Sequence, residues 1–368
     1  MALAVVLAGG GTGGHIFPAL ALAEAIRKAE PDASVRFVGT ARGLETKYVP
    51  AAGYPLDLVP SAQVTGRGLA RGLAGMVTGL RGIWIARAQL RAQRADLVIG
   101  VGGYASVGAV AAAVTLGIPT ALLEPNAKPG RANRLLGRFA KRVFVAFEDA
   151  IPFFPPGRAV LTGRPVRALP RAARADDGVT RLLITGASQG ARSVNRAICA
   201  ALPRLAEIPR LEITHQTGAA GLDETRAAYQ GTSLRADVAA FFDDLPERMA
   251  RADLVVARSG GTVAEICVAG VASVLVPYPF AADDHQMANA RELERAGACV
   301  VVPDAEAHAL LGDAVVALLR DPARRARMAE AALRRARPDA ARDIWRLCAE
   351  LIAPERARRA SDGRGTQK

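Results

Sequence analysis

The stretch Leu3-Ala4-Val5-Val6-Leu7-Ala8-Gly9-Gly10-Gly11-Thr12-Gly13-Gly14-His15 decides the fold. Its apolar first half, Leu3–Ala8, predicts a buried strand, and helical spacing of apolar residues follows from Pro18. The glycines between them allow the backbone to approach a ligand closely. A strand, a glycine loop and a helix in this order form the phosphate-binding part of nucleotide-binding folds.

Further short apolar runs alternate with helical stretches through the first 160 residues. Strands are predicted at Val35–Val38, Asp96–Val101 and Pro119–Leu123. Strands that alternate with helices pair in parallel and are covered by helices on both faces. The pattern therefore predicts an α/β fold built on a parallel sheet.

The order of strand, glycine loop and helix restarts at Arg181. Leu182–Thr185 predicts a strand, Gly186–Gly190 a glycine loop and Ser193–Leu205 a helix. Prolines and glycines cluster before this restart, as in a linker: Pro152, Pro155, Pro156, Gly157, Gly163, Pro165 and Pro170.

A weak internal sequence repeat supports the interpretation that the chain has two related halves. Asp96-Leu97-Val98 matches Asp253-Leu254-Val255 at an offset of 157, and Gly117–Leu123 resembles Gly270–Val276 at an offset of 153. A match of this kind also arises by chance between α/β segments. We interpret it as support for twin Rossmann-like domains whose parallel sheets face a central cleft.

Leu97–Leu123 carries no formal charge and is long enough to span a bilayer. Glycines and one proline interrupt it, namely Gly100, Gly102, Gly103, Gly108, Gly117 and Pro119. They divide the stretch into strand, loop, helix and strand. We therefore predict a buried βαβ segment and keep a membrane span as the alternative.

The composition is that of a globular protein, with 368 residues, 51% hydrophobic and 23% charged. Lys and Arg exceed Asp and Glu by 48 to 35, a net charge of +13, which predicts an anionic partner: nucleic acid, an acidic membrane face or a phosphorylated ligand. Nucleic acid is disfavoured because aromatic residues make up only 5% and no binding motif is present.

The four cysteines are scattered, as expected for reduced cytosolic thiols: Cys199, Cys267, Cys299 and Cys348. The N-terminus lacks the basic region of a secretory signal.

The first glycine loop fits G-x-G-x-x-G through Gly9, Gly11 and Gly14. A NAD site also needs an acid at the end of the second strand, where this chain has Arg42, a residue suited to a 2′-phosphate. His15 follows the glycines at a helix N-terminus, where the dipole lowers the pKa of a histidine and favours the neutral, proton-accepting form. A capping or core histidine is the alternative.

The second half offers further phosphate and sugar ligands. Ser188-Gln189-Gly190-Ala191 places a hydroxyl and backbone N–H groups at a helix start, and Arg258-Ser259-Gly260-Gly261-Thr262 repeats this arrangement. Glu265 lies one turn later, where it either accepts hydrogen bonds from ribose hydroxyls or is an ordinary solvated first-turn acid. Asp283-Asp284-His285-Gln286 with Asn289 suits sugar hydroxyls, or forms a surface loop with a cap.

No D-x-D sequence occurs, so no carboxylate pair is predicted to hold a divalent metal on a pyrophosphate. A leaving diphosphate must then be stabilised by helix N-termini and by Arg258.

From Leu69 onward, large apolar residues follow one helical face: Leu69, Leu73, Met76, Leu80 and Trp84. Six arginines surround them: Arg67, Arg71, Arg81, Arg87, Arg91 and Arg94. This pattern predicts an interfacial helix on anionic lipid, with an ordinary core-facing helix as the alternative.

Another amphipathic helix is predicted after Asp339, with apolar residues Ile344, Leu347, Leu351 and Ile352. The basic residues from Arg356 to Lys368 are expected to form a tail.

Taken together, these motifs resemble the MurG family of peptidoglycan glycosyltransferases between about Val5 and Ile352. The resemblance rests on eight segments in the family's order: Gly10–His15 with Pro18, Gly102-Gly103-Tyr104, Glu124 with Asn126, Gly163–Arg167, Ser188–Ala191, Arg258–Gly260, Glu265, and Gln286 with Asn289. It implies the two-domain glycosyltransferase B fold, with the last helix crossing back to the first domain. It also implies inverting, metal-independent transfer of N-acetylglucosamine from UDP to the C4 hydroxyl of a muramyl-pentapeptide on undecaprenyl diphosphate.

The resemblance also implies roles for individual residues. His15 would be the general base, Arg164 and the backbone at Phe242–Asp244 would hold uracil, and Tyr104 would lie near the acceptor. Residues implied at the donor are Thr12, Gly13, Gly14, Asn126, Arg164, Ser188, Gln189, Arg258, Glu265, His285, Gln286 and Asn289. Residues implied at the acceptor diphosphate are Gly10, Gly11, Thr12, Gly13 and Gly14.

Four departures from the family pattern bear on the sugar contacts. Pro125 replaces a glutamine, Ala187 replaces a glycine, and His285 stands where a glutamine is usual. The segment between Arg258 and Glu265 is one residue shorter than is common in the family.

These inferences combine into one hypothesis for organisation and setting. Residues 1–162 with 340–356 would form an acceptor- and membrane-binding domain, 163–339 a UDP-sugar-binding domain, and 357–368 a flexible tail. Met76, Leu80, Arg81, Ile83 and Trp84 would contact the anionic cytoplasmic face of the bacterial inner membrane, with no cofactor required. The alternatives are a UDP-N-acetylglucosamine epimerase or another transferase of this fold, and a basic nucleotide-sugar or nucleic-acid binding protein.

Overall fold

The computed structural model describes residues 2–60, 69–167, 177–186 and 190–362, without the side chains of 69–76, 104 and 359–362. The chain divides into two compact units. The N-terminal unit comprises Met1–Pro125, Pro129–Val166 and Pro338–Lys368, and the C-terminal unit comprises Asn126–Lys128 and Arg167–Arg337. The main change of unit thus falls after Val166, four residues beyond the predicted boundary.

The N-terminal unit is built on a seven-stranded parallel sheet with the strand order β3-β2-β1-β4-β5-β6-β7. Its strands are β1 (Ala4–Gly9), β2 (Ser34–Gly39), β3 (Leu56–Leu58), β4 (Leu97–Gly102), β5 (Thr120–Glu124), β6 (Arg142–Val145) and β7 (Ala159–Leu161). Its helices up to this point are α1 (Gly13–Ala29), α2 (Glu45–Ala51), α3 (Leu69–Ala92), α4 (Tyr104–Thr115) and α5 (Arg131–Leu136), with a 3₁₀ helix at Glu148–Phe153. Buried apolar clusters lie on both faces of the sheet, as predicted for a parallel sheet covered by helices.

The uncharged stretch Leu97–Leu123 forms β4, α4 and all but the last residue of β5, which confirms the βαβ interpretation. Among the residues that the structure describes, no helix has both the length and the apolar character needed to cross a bilayer.

Helix α1 begins at Gly13 and not at Pro18, so the predicted start was wrong by five residues. Thr12 has an extended backbone as the N-cap, and the last two loop glycines with His15 form the first turn. Pro18 lies inside the helix and has no N–H to donate to the carbonyl of Gly14. The glycine content concealed this turn, because glycine is a poor helix former that an apolar pattern does not register.

The C-terminal unit repeats the design with a six-stranded parallel sheet ordered β10-β9-β8-β11-β12-β13. Its strands are β8 (Thr180–Thr185), β9 (Leu211–Gln216), β10 (Arg235–Ala239), β11 (Leu254–Ala257), β12 (Ala272–Leu275) and β13 (Cys299–Val301). Its helices are α6 (Arg192–Leu205), α7 (Leu222–Gln230), α8 (Leu245–Arg251), α9 (Thr262–Ala269), α10 (His285–Arg295), α11 (Ala307–Arg320) and α12 (Pro322–Arg335). Both predicted Rossmann-like domains are thereby confirmed.

The residues of the weak internal sequence repeat occupy equivalent positions in the two sheets. Asp96 and Asp253 each precede the fourth strand of their sheet, β4 and β11. The Asp96 carboxylate accepts a hydrogen bond from Ala4 N at 3.0 Å, and the Asp253 carboxylate accepts one from Arg181 N at 2.8 Å. Each aspartate therefore fixes the start of the first strand against the fourth.

The last helix, α13 (Ala340–Asp362), belongs to the N-terminal unit and packs against α1. Ile344, Trp345, Cys348 and Ile352 are buried there. Helix α13 continues to Asp362 and so extends into the segment that was expected to form a tail. Residues 354–362, PERARRASD, are rich in arginine and alanine, which favour helix once it is started. The rest of the expected tail lies outside the described residues.

Helix α3 turns one face towards the core and leaves large apolar side chains exposed on the other. Gly82, Ala86 and Leu90 are buried, whereas Leu80 is 53% and Trp84 is 72% exposed. The core-facing alternative is thus wrong for Leu80 and Trp84. Arg81 is exposed, Val77 is 56% exposed, and Ile83 packs partly against the core. The side chains of Leu69, Leu73 and Met76 lie outside the described set.

Candidate active site

The N-terminal sheet reverses its strand order at β1, which lies between β2 and β4. Ligands of open parallel sheets bind outside the carboxyl ends of the strands at such a reversal. Here β1 ends at Gly9 and β4 at Gly102, and these two glycines are register partners. The first glycine loop and Gly102-Gly103 therefore lie side by side at the position where a ligand is expected.

Close backbone contact explains the glycines at the end of β4. Gly102 and Gly103 have φ values of +103° and +82°, a conformation that other residues adopt with strain. A Cβ at Gly102 would lie 2.7 Å from Nε2 of His15, and a Cβ at Gly103 would overlap the carbonyl of Gly10. Tyr104, the predicted acceptor contact, is the first residue of α4, and its side chain lies outside the described set.

His15 lies in the first turn of α1 with its ring fixed by the glycine loop. Its Nδ1 is 3.1 Å from the carbonyl oxygen of Gly10 and 3.4 Å from Oγ1 of Thr12. Because a carbonyl only accepts, the shorter contact requires the proton on Nδ1. In the neutral imidazole, Nε2 then carries the lone pair that a general base needs.

Glu45 is a component of this site that the motif pattern does not reveal. It is the first residue of α2 and is fully buried. Its carboxylate accepts hydrogen bonds from Gly11 N at 2.7 Å, Thr40 N at 2.9 Å and Thr40 Oγ1 at 2.8 Å. Burial raises the pKa of this carboxyl, but the hydrogen bonds from Gly11 and Thr40 outweigh burial and lower it overall, so the group is anionic at neutral pH.

Arg164 lies in the N-terminal unit beside the same helix start. Its guanidinium donates to the carbonyl of Gly14, the group that Pro18 leaves without a helical donor. A small pocket beside this contact is lined by Gly14, Pro18, Glu124 and Arg164, among others. Phe242–Asp244, the other predicted uracil contact, belongs to the C-terminal unit.

Glu124, the first residue of the Glu-Pro-Asn segment, is buried at the end of β5. Its Oε2 accepts hydrogen bonds from Asn133 Nδ2 at 2.9 Å and from Gly130 N at 3.3 Å. Glu124 therefore fixes the turn into α5.

Asn289 organises the corresponding region of the C-terminal unit. It is fully buried, and its Oδ1 accepts a hydrogen bond from Ala127 N at 2.8 Å. Its Nδ2 donates to Ser259 O at 3.0 Å and to Asn126 Oδ1 at 3.3 Å. Two predicted sugar ligands, Asn126 and Asn289, are thus brought together, with Asn289 engaged by the protein itself.

Three further predicted donor residues surround the start of α10 and α9. Gln286 Oε1 accepts a hydrogen bond from Tyr278 N at 3.0 Å, and His285 Nδ1 lies 2.7 Å from the carbonyl of Ala282. Because that carbonyl accepts, the contact requires the proton on Nδ1 of His285. Glu265 is half-buried in the first turn of α9.

Arg258 is held firmly at the end of β11. Its guanidinium pairs with Asp304 and donates to Ser193 Oγ at 3.0 Å and to Val276 O at 3.1 Å. The side chain is only 11% exposed. These contacts show that Arg258 joins the loops after β11 and β12 to the start of α6, a structural role that its position in the motif did not predict.

Gln216 is a second residue that the sequence pattern missed. It is buried at the end of β9, donates to Thr185 Oγ1 at 3.1 Å and accepts from Phe242 N at 3.0 Å. It therefore fixes the backbone predicted to hold uracil. Arg248 stacks on the Phe242 ring at 4.0 Å from its centroid. Ser188 and Gln189, predicted at the diphosphate, lie outside the described residues.

Two parallel-sheet units, each with glycine-rich loops at the carboxyl ends of its central strands, form the glycosyltransferase B fold. Residues 5–145 match the model of the glycosyltransferase family 28 N-terminal domain, and residues 181–344 match that of its C-terminal domain. A relative from Anaeromyxobacter dehalogenans strain 2CP-C is 43% identical over 95% of this chain and 93% of its own length. That relative is named UDP-N-acetylglucosamine–N-acetylmuramyl-(pentapeptide) pyrophosphoryl-undecaprenol N-acetylglucosamine transferase. The chain belongs to the MurG family of glycosyltransferases.

Solved structures agree with this assignment. The crystal structure of MurG from Acinetobacter baumannii matches with a TM-score of 0.74 and 30% identity, covering 96% of this chain and 99% of its own. A putative UDP-N-acetylglucosamine 2-epimerase from Listeria monocytogenes matches with a TM-score of 0.68 at 15% identity, covering 96% and 97% of the two chains. The second likeness concerns the fold alone.

Proposed function

We propose that this protein transfers N-acetylglucosamine from UDP-N-acetylglucosamine to the C4 hydroxyl of an N-acetylmuramyl-pentapeptide on undecaprenyl diphosphate. The observation that carries this proposal is the 43% identity to a transferase of that name over 95% of the chain. The site in the N-terminal unit supports it, because His15 is held there with the geometry of a general base.

The two units divide the substrates in this proposal. The N-terminal unit takes the acceptor, whose diphosphate lies at the N-terminus of α1, since the start of a helix attracts anions. The C-terminal unit takes the UDP-sugar at the ends of β8 and β11, the reversal of its strand order. This assignment keeps two anionic diphosphates at separate helix starts.

In the proposed reaction, the acceptor C4 oxygen attacks the anomeric carbon of N-acetylglucosamine from the face opposite UDP. Nε2 of His15 takes the hydroxyl proton as the new C–O bond forms. The bond from the anomeric carbon to the diphosphate oxygen breaks, its electron pair leaves with UDP, and the configuration inverts. Helix N-termini of the C-terminal unit stabilise the departing charge.

The donor contacts follow the positions of the C-terminal unit. Glu265 binds the ribose hydroxyls, and Gln216 supports the proposed function by fixing the Phe242 backbone for uracil. The proposed ligands of the sugar and diphosphate are Asn126, Ser188, Gln189, His285 and Gln286, with Asn289 and Arg258 holding the loops between them.

We also propose that α3 docks the N-terminal unit on the cytoplasmic face of the bacterial inner membrane. Val77, Leu80 and Trp84 are exposed large apolar side chains on the outward face of this helix, and Arg81 lies beside them. An apolar stripe with adjacent arginines suits an anionic lipid interface. The acceptor's undecaprenyl chain requires that the enzyme work at such a surface.

The test is an assay with labelled UDP-N-acetylglucosamine and lipid-linked muramyl-pentapeptide in vesicles. We expect labelled disaccharide lipid and UDP, and an intact donor when the acceptor is left out. Conversion of the donor to its 2-epimer without acceptor would support the epimerase alternative. Salt-sensitive binding to random DNA without sugar transfer would support the binding-protein alternative.

A further inference from the structure

One peptide group of the glycine loop is held from both ends. The carbonyl of Gly10 accepts the Nδ1–H of His15 at 3.1 Å, and the N–H of Gly11 donates to the Glu45 carboxylate at 2.7 Å. These two atoms belong to the same peptide bond. A buried carboxylate is therefore joined to the imidazole through a single rigid amide.

We infer that Glu45 is a positioning residue that acts on His15 through the Gly10–Gly11 peptide. The arrangement works like a carboxylate that orients a catalytic histidine directly, with the amide placed between the two groups. The inference rests on the proposed role of His15 as the base.

Two effects follow from a negative charge at the N–H end of this amide. The carboxylate polarises the amide and makes the Gly10 oxygen a stronger acceptor, since linked hydrogen bonds strengthen one another. The stronger acceptor keeps the proton on Nδ1 and leaves Nε2 to face the substrate. It also stabilises the imidazolium that forms when Nε2 takes the proton.

The surroundings of Glu45 are built to hold the carboxylate in place. Thr40 occupies Oε1 with two hydrogen bonds, which leaves Oε2 for Gly11. A Cβ at Gly10 or Gly43 would overlap the carboxylate, and one at Gly39 would lie 2.7 Å from Cγ of Glu45. Three glycines from separate positions thus allow one buried anion to reach the loop. A residue that only capped α2 would not need this access.

The Glu45→Gln substitution leaves the other charged groups near the start of α1 unchanged. Arg164 bonds the Gly14 carbonyl, and Glu124 lines the pocket beside it. Replacing Glu45 by glutamine changes neither of them, so the difference between the two proteins reports the Glu45 charge.

The first experiment compares kcat and KM of Glu45→Gln with the parent protein across pH. We expect kcat to fall roughly tenfold, the KM for UDP-N-acetylglucosamine to change little, and the acidic limb of the kcat profile to move to lower pH by about 1. Glu24→Gln is the matched control, because Glu24 is an exposed carboxylate on α1, the helix that carries His15, and is paired with Lys28. We expect no change in that control.

The second experiment is histidine-selective ¹⁵N NMR of the parent protein and of Glu45→Gln. The chain has only four histidines, and His15→Gln identifies the His15 signals. We expect the Nδ1–H form of His15 in the parent protein and a lower titration midpoint in Glu45→Gln. An Nε2–H form in the parent protein overturns the inference, even if the variant does not fold. A reduced kcat with an unchanged midpoint also overturns it, because that result is a purely structural effect.

The same data separate this inference from the proposed function. If His15→Ala turns over at a near-normal rate while Glu45→Gln lowers the His15 midpoint, the base assignment is wrong and the link from Glu45 to His15 stands.

Discussion

The exposed face of α3 allows a quantitative prediction for the double substitution Leu80→Ser and Trp84→Ser. Trp84 is 72% exposed, which for a side chain of roughly 250 Å² leaves about 180 Å², or ~4.5 kcal/mol if fully immersed in lipid. Leu80, at 53% exposed, adds about 1 kcal/mol. An interfacial helix immerses about half of this surface, so we expect a loss near 2.7 kcal/mol, close to 100-fold in the partition coefficient.

Cosedimentation with vesicles containing anionic lipid, at several salt concentrations, measures this coefficient. Leu310→Ser is the control, because it removes a leucine that is 43% exposed in the C-terminal unit. The salt dependence should persist in the double variant, since Arg81 and the other basic residues remain. Unchanged vesicle binding in the double variant would refute the docking role of α3.

Three further predictions concern the site and its support. His15→Ala should lower kcat by about 100-fold or more in the transfer assay, and a near-normal rate would assign the proton to another group. Glu265→Ala should mainly raise the KM for UDP-N-acetylglucosamine, and unchanged donor affinity in calorimetry would refute the ribose role. Burial lowers the pKa of His215 to about 3, so between about pH 3 and 6.5 the unfolded chain binds up to one more proton at this residue than the native one. Stability of the C-terminal unit should therefore fall by about 1.4 kcal/mol per pH unit from 6.5 towards 3, and hydrogen exchange of β9 should show this slope reduced in His215→Gln.

Much of the fold could be predicted because local pattern and tertiary structure agree. Leu3–Ala8 and Leu182–Thr185 are short apolar runs before glycines, and both form the central strand that opens a sheet. The sequence match between Asp96 and Asp253 identified two equivalent positions, at which each aspartate bonds the start of the first strand of its sheet. The sequence pattern missed the start of α1, because glycines form its first turn and glycine is a poor helix former. It also missed the end of α13, because that segment is charged and has no apolar periodicity.

The site could be predicted only where its residues lie within a motif. His15 follows its glycines directly, so the helix start indicated it. Glu45 lies 34 residues from Gly11, and only the parallel pairing of β1 and β2 brings α2 back to the loop. Gln216 likewise reaches Phe242 through the fold, and no local spacing connects the two.

Pro18 has a consequence for the order in which the N-terminal unit is completed. It leaves the Gly14 carbonyl to a guanidinium 150 residues later, in place of a donor four residues away. Closing a chain segment of that length costs more conformational entropy than closing one turn of a helix. Arg164 follows β7 in the chain, so the turn that carries His15 gains this hydrogen bond only after all seven strands of the N-terminal sheet have been synthesised.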